Sequence, residues 1–94
     1  PPMPGVDSEY HALLAALYQQ TGQHLKAAAS YRDVLRVNPH QGNWWVGLGI
    51  SLEKLEKYAE ARSAYQRAKN SVNLTEKLRQ YVDKRLAALA DAGH

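Results

Sequence analysis

The stretch Trp45–Ala68, WVGLGISLEKLEKYAEARSAYQRA, decides the fold. Trp45, Leu48, Gly49 and Leu52 recur at helical spacing, and Tyr58, Ala61, Tyr65 and Ala68 do so again. Leu55-Glu56-Lys57 lies between the two runs and leaves room only for a tight turn. One step of 34 residues earlier the pattern is written a second time. Leu14 matches Leu48, His24 matches Tyr58, Ala27 matches Ala61 and Tyr31 matches Tyr65. A helical hairpin repeated at this period marks a stacked helical array, because one hairpin cannot bury its apolar face alone.

Working outward, residues 1–7 (Pro1-Pro2-Met3-Pro4-Gly5 at their start) predict a disordered, proline-rich linker. Asp7 or Ser8 is placed to cap a first helix over about 8–21, along which Tyr10, Leu13, Leu14, Leu17 and Tyr18 recur at helical spacing. Gly22 ends it. The second helix puts Leu25, Ala28, Tyr31, Val34 and Leu35 on its packing side and stops at Asn38-Pro39, since proline cannot continue the amide ladder. A third helix, about 41–54, carries Trp44 and Trp45, and a fourth spans about 58–70. Asn73 or Thr75 caps a fifth, whose stripe is Leu74, Leu78, Tyr81, Val82, Leu86 and Leu89. The expected organisation is a repeat at 8–40, a second at 41–73 and a C-terminal capping helix at 74–91, with 90–94 frayed. Its charged outer face suits a cap, which buries one side and keeps the other wet.

Small residues set the helix approach. Ala15 and Gly49 belong where the first helix of each hairpin meets the second, opposite Ala27 and Ala61. Trp45 is expected in the core, where truncating a large aromatic typically costs about 3–5 kcal/mol. Trp44, matching Tyr10, is expected against the preceding hairpin, with an aromatic anchor at a binding edge as the alternative.

The chain has 94 residues and no cysteine, which excludes disulfides and thiolate metal sites. The net charge of +3 comes mostly from the C-terminal third, through Arg62, Arg67, Lys69, Lys77, Arg79, Lys84 and Arg85. Such a stripe is ordinarily a solvated helix face; the alternative is a nucleic-acid or lipid surface. His11, His24, His40 and His94 do not pair at a metal-binding spacing. No Ser-His-acid pattern, glycine-rich phosphate loop or nucleophile elbow is present, so the sequence reads as a non-enzyme without cofactor or metal.

These residues and spacings resemble the tetratricopeptide repeat (TPR), from Tyr10 to Leu89. The first copy departs from the pattern at His11, in the tryptophan position, and at Val34, in the second alanine position. The resemblance implies an all-α, TPR-like α-α superhelix of two hairpins plus a capping helix, acting as a protein-binding scaffold. More narrowly, Tyr10–Gln20, Trp44–Glu53 and Leu78–Val82 look similar to TPR proteins of MSHA-type (type IV) pilus biogenesis. That likeness implies a periplasmic domain behind an inner-membrane anchor; a cytoplasmic module of another pathway is the alternative.

On the TPR pattern the first helix of each hairpin lines a concave groove. The expected lining is Ala12, Leu13, Ala16 and Gln19, then Asn43, Val46, Ile50 and Glu53, with Lys84 from the fifth helix. Val46 and Ile50 are expected to face solvent and a guest peptide or helix. Chaperone-binding TPRs grip a terminal carboxylate with Lys and Asn in this groove; Ala12, Ala16 and Gly47 stand here instead and argue against that subclass. Weak self-association through the open end of the stack is a further expectation.

Overall fold

The computed structural model describes residues 4–90, with side chains from Ser8 onward. Five helices follow in order: α1 Pro4–Gln20, α2 His24–Val37, α3 Gly42–Lys54, α4 Tyr58–Lys69 and α5 Glu76–Leu89. Each packs on its neighbours in sequence, and α3 also touches α1 and α5. The result is an elongated stack of hairpins, 44 × 28 × 19 Å in extent.

The two hairpins close in the same way. Gly22 and Glu56, one repeat apart, both have positive φ, 79° and 61°. Gly22 N–H bonds to Gln19 O and Gln23 N–H to Tyr18 O; Glu56 N–H bonds to Glu53 O and Lys57 N–H to Leu52 O. Both are left-handed helix caps that satisfy the last free carbonyls. Glycine adopts that conformation freely, whereas Glu56 holds it at the expense of a Cβ–carbonyl clash.

Helix α1 begins a turn earlier than the sequence suggests. Asp7 and Ser8 therefore lie inside it and do not cap it. Proline at the first turn explains the earlier start, since its missing N–H would have had no partner there. Residues 1–3 of the expected linker and 91–94 of the expected frayed end lie outside the described residues. Thr75 caps α5, its side chain accepting from Leu78 N–H. Asn73 instead ties the α4–α5 connection to the start of α3. Its Oδ1 accepts from Gly42 N–H and its Nδ2 donates to Gln41 Oε1.

The core runs through the middle of the stack, from Ala15 and Tyr31 through Leu48, Leu52 and Tyr65 to Val82 and Leu89. Close approach at small residues organises it. A Cβ on Gly49 would fall 2.6 Å from Cε1 of Tyr65, and one on Gly47 would overlap the ring of Tyr31. On α1 the apolar Tyr10, Leu13 and Leu17 are exposed, while Ser8, Ala12 and Ala15 are buried. Two expectations of packing do not hold. Leu25 is 68% exposed because it sits at the start of α2, beside the turn. Trp45 is only half-buried: its Nε1–H donates to Pro39 O and Arg67 lies 4.8 Å above its ring. It seals the hairpin edge, so its truncation exposes less than that of a core tryptophan.

Candidate functional site

The repeat places equivalent residues at two successive junctions. At the first, Tyr31 of α2 meets Gly47 of α3, and Gln19 reaches across from α1. Gln19 Nε2 donates to Gly47 O at 2.8 Å and to Ser51 Oγ at 2.9 Å. His24 Nδ1 lies 3.2 Å from the same hydroxyl. Adding one repeat converts Tyr31 to Tyr65, Gly47 to Tyr81, Gln19 to Glu53 and Ser51 to Arg85.

The second junction is built from those four counterparts. Tyr65 stacks edge-on against Tyr81, ring centroids 6.3 Å apart, and its hydroxyl donates to Glu53 Oε1 at 2.9 Å. Arg85 grips Glu53 with two bonds, Nε to Oε1 at 2.9 Å and Nη2 to Oε2 at 2.5 Å. Burial alone would raise the Glu53 carboxyl. The bonds from Arg85 and Tyr65 outweigh it and hold the pKa below the ordinary value. Burial, then the bond to Glu53, drives the Tyr65 phenol far above its usual range. The bond to Glu53 likewise raises Arg85. Three polar groups thus remain in fixed protonation states at neutral pH.

Above this cluster opens a hollow of about 500 Å³, lined by Ile50, Glu53, Lys54, Glu56, Tyr58, Tyr81 and Arg85. Apolar surface from Ile50 and the two tyrosines lies among the Glu53–Arg85 pair and the Lys54 and Glu56 side chains. This is where a guest could bury an apolar group and pair a charge at the rim.

The sequence-predicted groove is only partly collected here. Ile50 and Glu53 line the hollow. Ala12 and Val46 are buried, Val46 at 3% exposure, so neither faces solvent as expected. Val46 is instead part of the buried core cluster. Ala16 is half-buried, and Gln19 is held by Gly47 and Ser51. Asn43 and Lys84 are exposed, outside the hollow. Leu13 is exposed on α1 and is not part of it. Tyr58 and Arg85 were not among the expected lining residues. The signal for Arg85 was its register, one repeat beyond Ser51.

The basic stripe is largely occupied in holding the cap. Arg79 Nη1 donates to Lys69 O and Nη2 to Ser71 O at the end of α4. Arg62 of α4 donates in return to Leu89 O and Ala90 O at the end of α5. Lys69 pairs with Asp83 at 2.9 Å. Cations at helix C-termini satisfy the last carbonyls and the helix dipole. Among the described residues, no group of His, Asp or Glu could hold a metal ion, and no helix is long and apolar enough to cross a membrane.

A family model described as Tetratricopeptide repeat matches residues 13–72, from the middle of α1 to the connection before α5. No curated protein matches the chain.

Proposed function

Because the chain belongs to the tetratricopeptide-repeat family, whose domains generally mediate protein–protein interaction, we propose that it is a scaffold binding a peptide or helix of a partner protein in the α3–α5 hollow. The observation that carries this reading is the combination of apolar lining from Ile50, Tyr58 and Tyr81 with the Glu53–Arg85 ion pair and the Lys54 and Glu56 side chains. Apolar surface with a polar rim is the usual form of a recognition site. The hollow suits one aliphatic or aromatic anchor with an acidic neighbour beside Lys54. The likeness of the α1, α3 and α5 segments to MSHA-type pilus-biogenesis TPR proteins supports a place in pilus or secretion assembly. It also supports a periplasmic domain reached through an upstream membrane anchor.

A displayed library of random peptides tests the site. Binders should be enriched in an apolar anchor flanked by Asp or Glu. Ile50→Glu should weaken them at least tenfold, about 1.4 kcal/mol, with the circular dichroism still helical. Binding that ignores Ile50→Glu and Tyr58→Ala would place recognition elsewhere. Deleting the encoding gene and counting surface pili tests the pathway.

A further inference from the structure

Helices α2 and α4 do not pack on each other, although α3 packs on both. An ion pair between Arg32 and Glu60, at 2.8 Å, crosses the cleft between them. Along that cleft lies a hollow of about 310 Å³, at the small end of ligand sites. Leu35, Pro39, Trp45 and Leu48 give its apolar lining. Arg32, Arg36 and Arg67 give the rest, and among the described residues no acid lines it. A second hollow shares Pro39 and Arg67 with the first and adds His40, Asn70 and Ser71, again without an acid. Both belong to the interior of the array, with α1 packed on α2 and α5 packed on α4. Helical spacing puts Trp45 and Leu48 on the other side of α3 from Ile50 and Lys54, which line the α3–α5 hollow. We propose that this cleft is a second docking surface, taken by an acidic peptide segment of a partner protein. The segment seats one aliphatic or aromatic side chain against Trp45 and pairs a carboxylate with Arg67.

Charge favours this occupant. Among the described residues Arg67 makes no ion pair; its guanidinium carbon lies 4.8 Å from the centre of the Trp45 ring. A guanidinium over a ring keeps its N–H edge for an in-plane carboxylate, which it meets with two bonds. Trp45 is already held for that role, because its Nε1–H donates to Pro39 O at 2.8 Å. Arg36 pairs with Asp33 on the surface, the two side chains 74% and 65% exposed. Exposed pairs contribute little, so a guest carboxylate exchanges with Asp33 at small cost. Elsewhere on the basic stripe, Arg62 and Arg79 bond to carbonyls and Lys69 bonds to Asp83. The lining arginines are therefore a local cluster and not part of a continuous cationic track. A nucleic-acid strand needs such a track and open aromatic faces, and Arg67 covers one face of Trp45.

A displayed library of random peptides, panned on the Ile50→Glu protein, reads this surface apart from the α3–α5 hollow. Enriched sequences should carry Asp or Glu within a helical turn of an aliphatic or aromatic residue. The most enriched one, made as a labelled synthetic peptide, should bind Arg67→Gln at least tenfold more weakly than wild type. Helical dichroism should be unchanged, since Arg67 is exposed. Arg36→Gln should cause a smaller loss. Lys77→Gln, the same change of charge at an exposed position of α5, should cause none. Raising the salt from about 0.05 M to about 0.5 M should weaken the complex. Peptides of the α3–α5 hollow are lost on Ile50→Glu and indifferent to Arg67→Gln, so the two sites fail separately. A selection that yields no acidic peptides, binding indifferent to Arg67→Gln, or equal losses at Arg67 and Lys77 would each overturn the proposal. So would tighter binding of single-stranded oligothymidylate than of the peptide.

Discussion

The first and second junctions of the stack are the same four positions filled in two ways. Where α2 meets α3, the set is Tyr31, Gly47, Gln19 and Ser51: one ring laid on a bare backbone, with neutral hydrogen bonds beside it. Where α4 meets α5, the set is Tyr65, Tyr81, Glu53 and Arg85: ring against ring, with an ion pair beside it. The neutral set belongs to a joint inside the array, where contact continues on both sides. The charged set joins α5, the last described helix, whose outer face stays wet. A partly exposed pair keeps its hydration in part, so it can hold a terminal helix without the desolvation cost of a buried one. The same substitutions leave a hollow with fixed charges at the terminal joint, and the proposed recognition site lies there.

Removing the terminal joint should have the largest effect. A chain ending at Asn73 loses α5 and uncovers Tyr65 and Ala68, both fully buried in the intact protein. It should unfold or aggregate, as followed by thermal melting and sedimentation. A monomer with an unchanged Tm would mean that α5 does not seal the stack.

Exchanging the junction residues comes next. Gly47→Tyr puts the Tyr81 side chain where the Tyr31 ring already lies, and overpacking there should destabilise by about 3 kcal/mol in denaturant unfolding. The reverse change, Tyr81→Gly, should cost about 1–2 kcal/mol, since the tyrosine is 38% exposed and most of the loss is glycine's helix penalty. Equal losses would show that the two junctions are interchangeable.

The ion pair sharpens the comparison through pH. Glu53→Gln should lower stability by about 1 kcal/mol at pH 7, the pair being partly exposed. The folded pKa of Glu53 lies below its ordinary 4.5, so the pair's contribution is full above that value. It fades as pH falls through the lower folded value, and wild type and variant should converge in acid. Gln19→Glu, which copies the terminal residue into the first junction without an arginine to meet it, should destabilise at pH 7 and recover in acid.

The smallest effect distinguishes the hairpin turns. Glu56→Gly should stabilise by about 0.5–1 kcal/mol, because it relieves a left-handed conformation that Gly22 already adopts freely. A loss instead would mean that the Glu56 side chain contributes more than its backbone strain costs.

Sequence alone determined the helices, their order and the repeat. A 34-residue period with small residues fixed at the helix crossings, Ala15 and Gly49 opposite Ala27 and Ala61, admits few structures, since one hairpin cannot bury its apolar face alone. It placed the ends of α2, α3 and α4 within about a residue, because Pro39, the left-handed turns and apolar periodicity are local signals. It also placed Gly49 where the two helices of its hairpin meet, opposite Ala61, a spacing internal to one hairpin; that Tyr65 is the ring pressed on it came from the structure. Tertiary structure decided what each repeated position meets. Leu13 and Gly47 share a register, yet one is exposed and the other pressed on Tyr31, because only the second has a hairpin packed before it. Val46 reads as groove by pattern and is core by packing. Arg85 reads as part of a basic stripe and is the partner of Glu53. Local sequence sets which face of a helix is apolar; burial of that face depends on whether another helix arrives, which is a property of the whole stack.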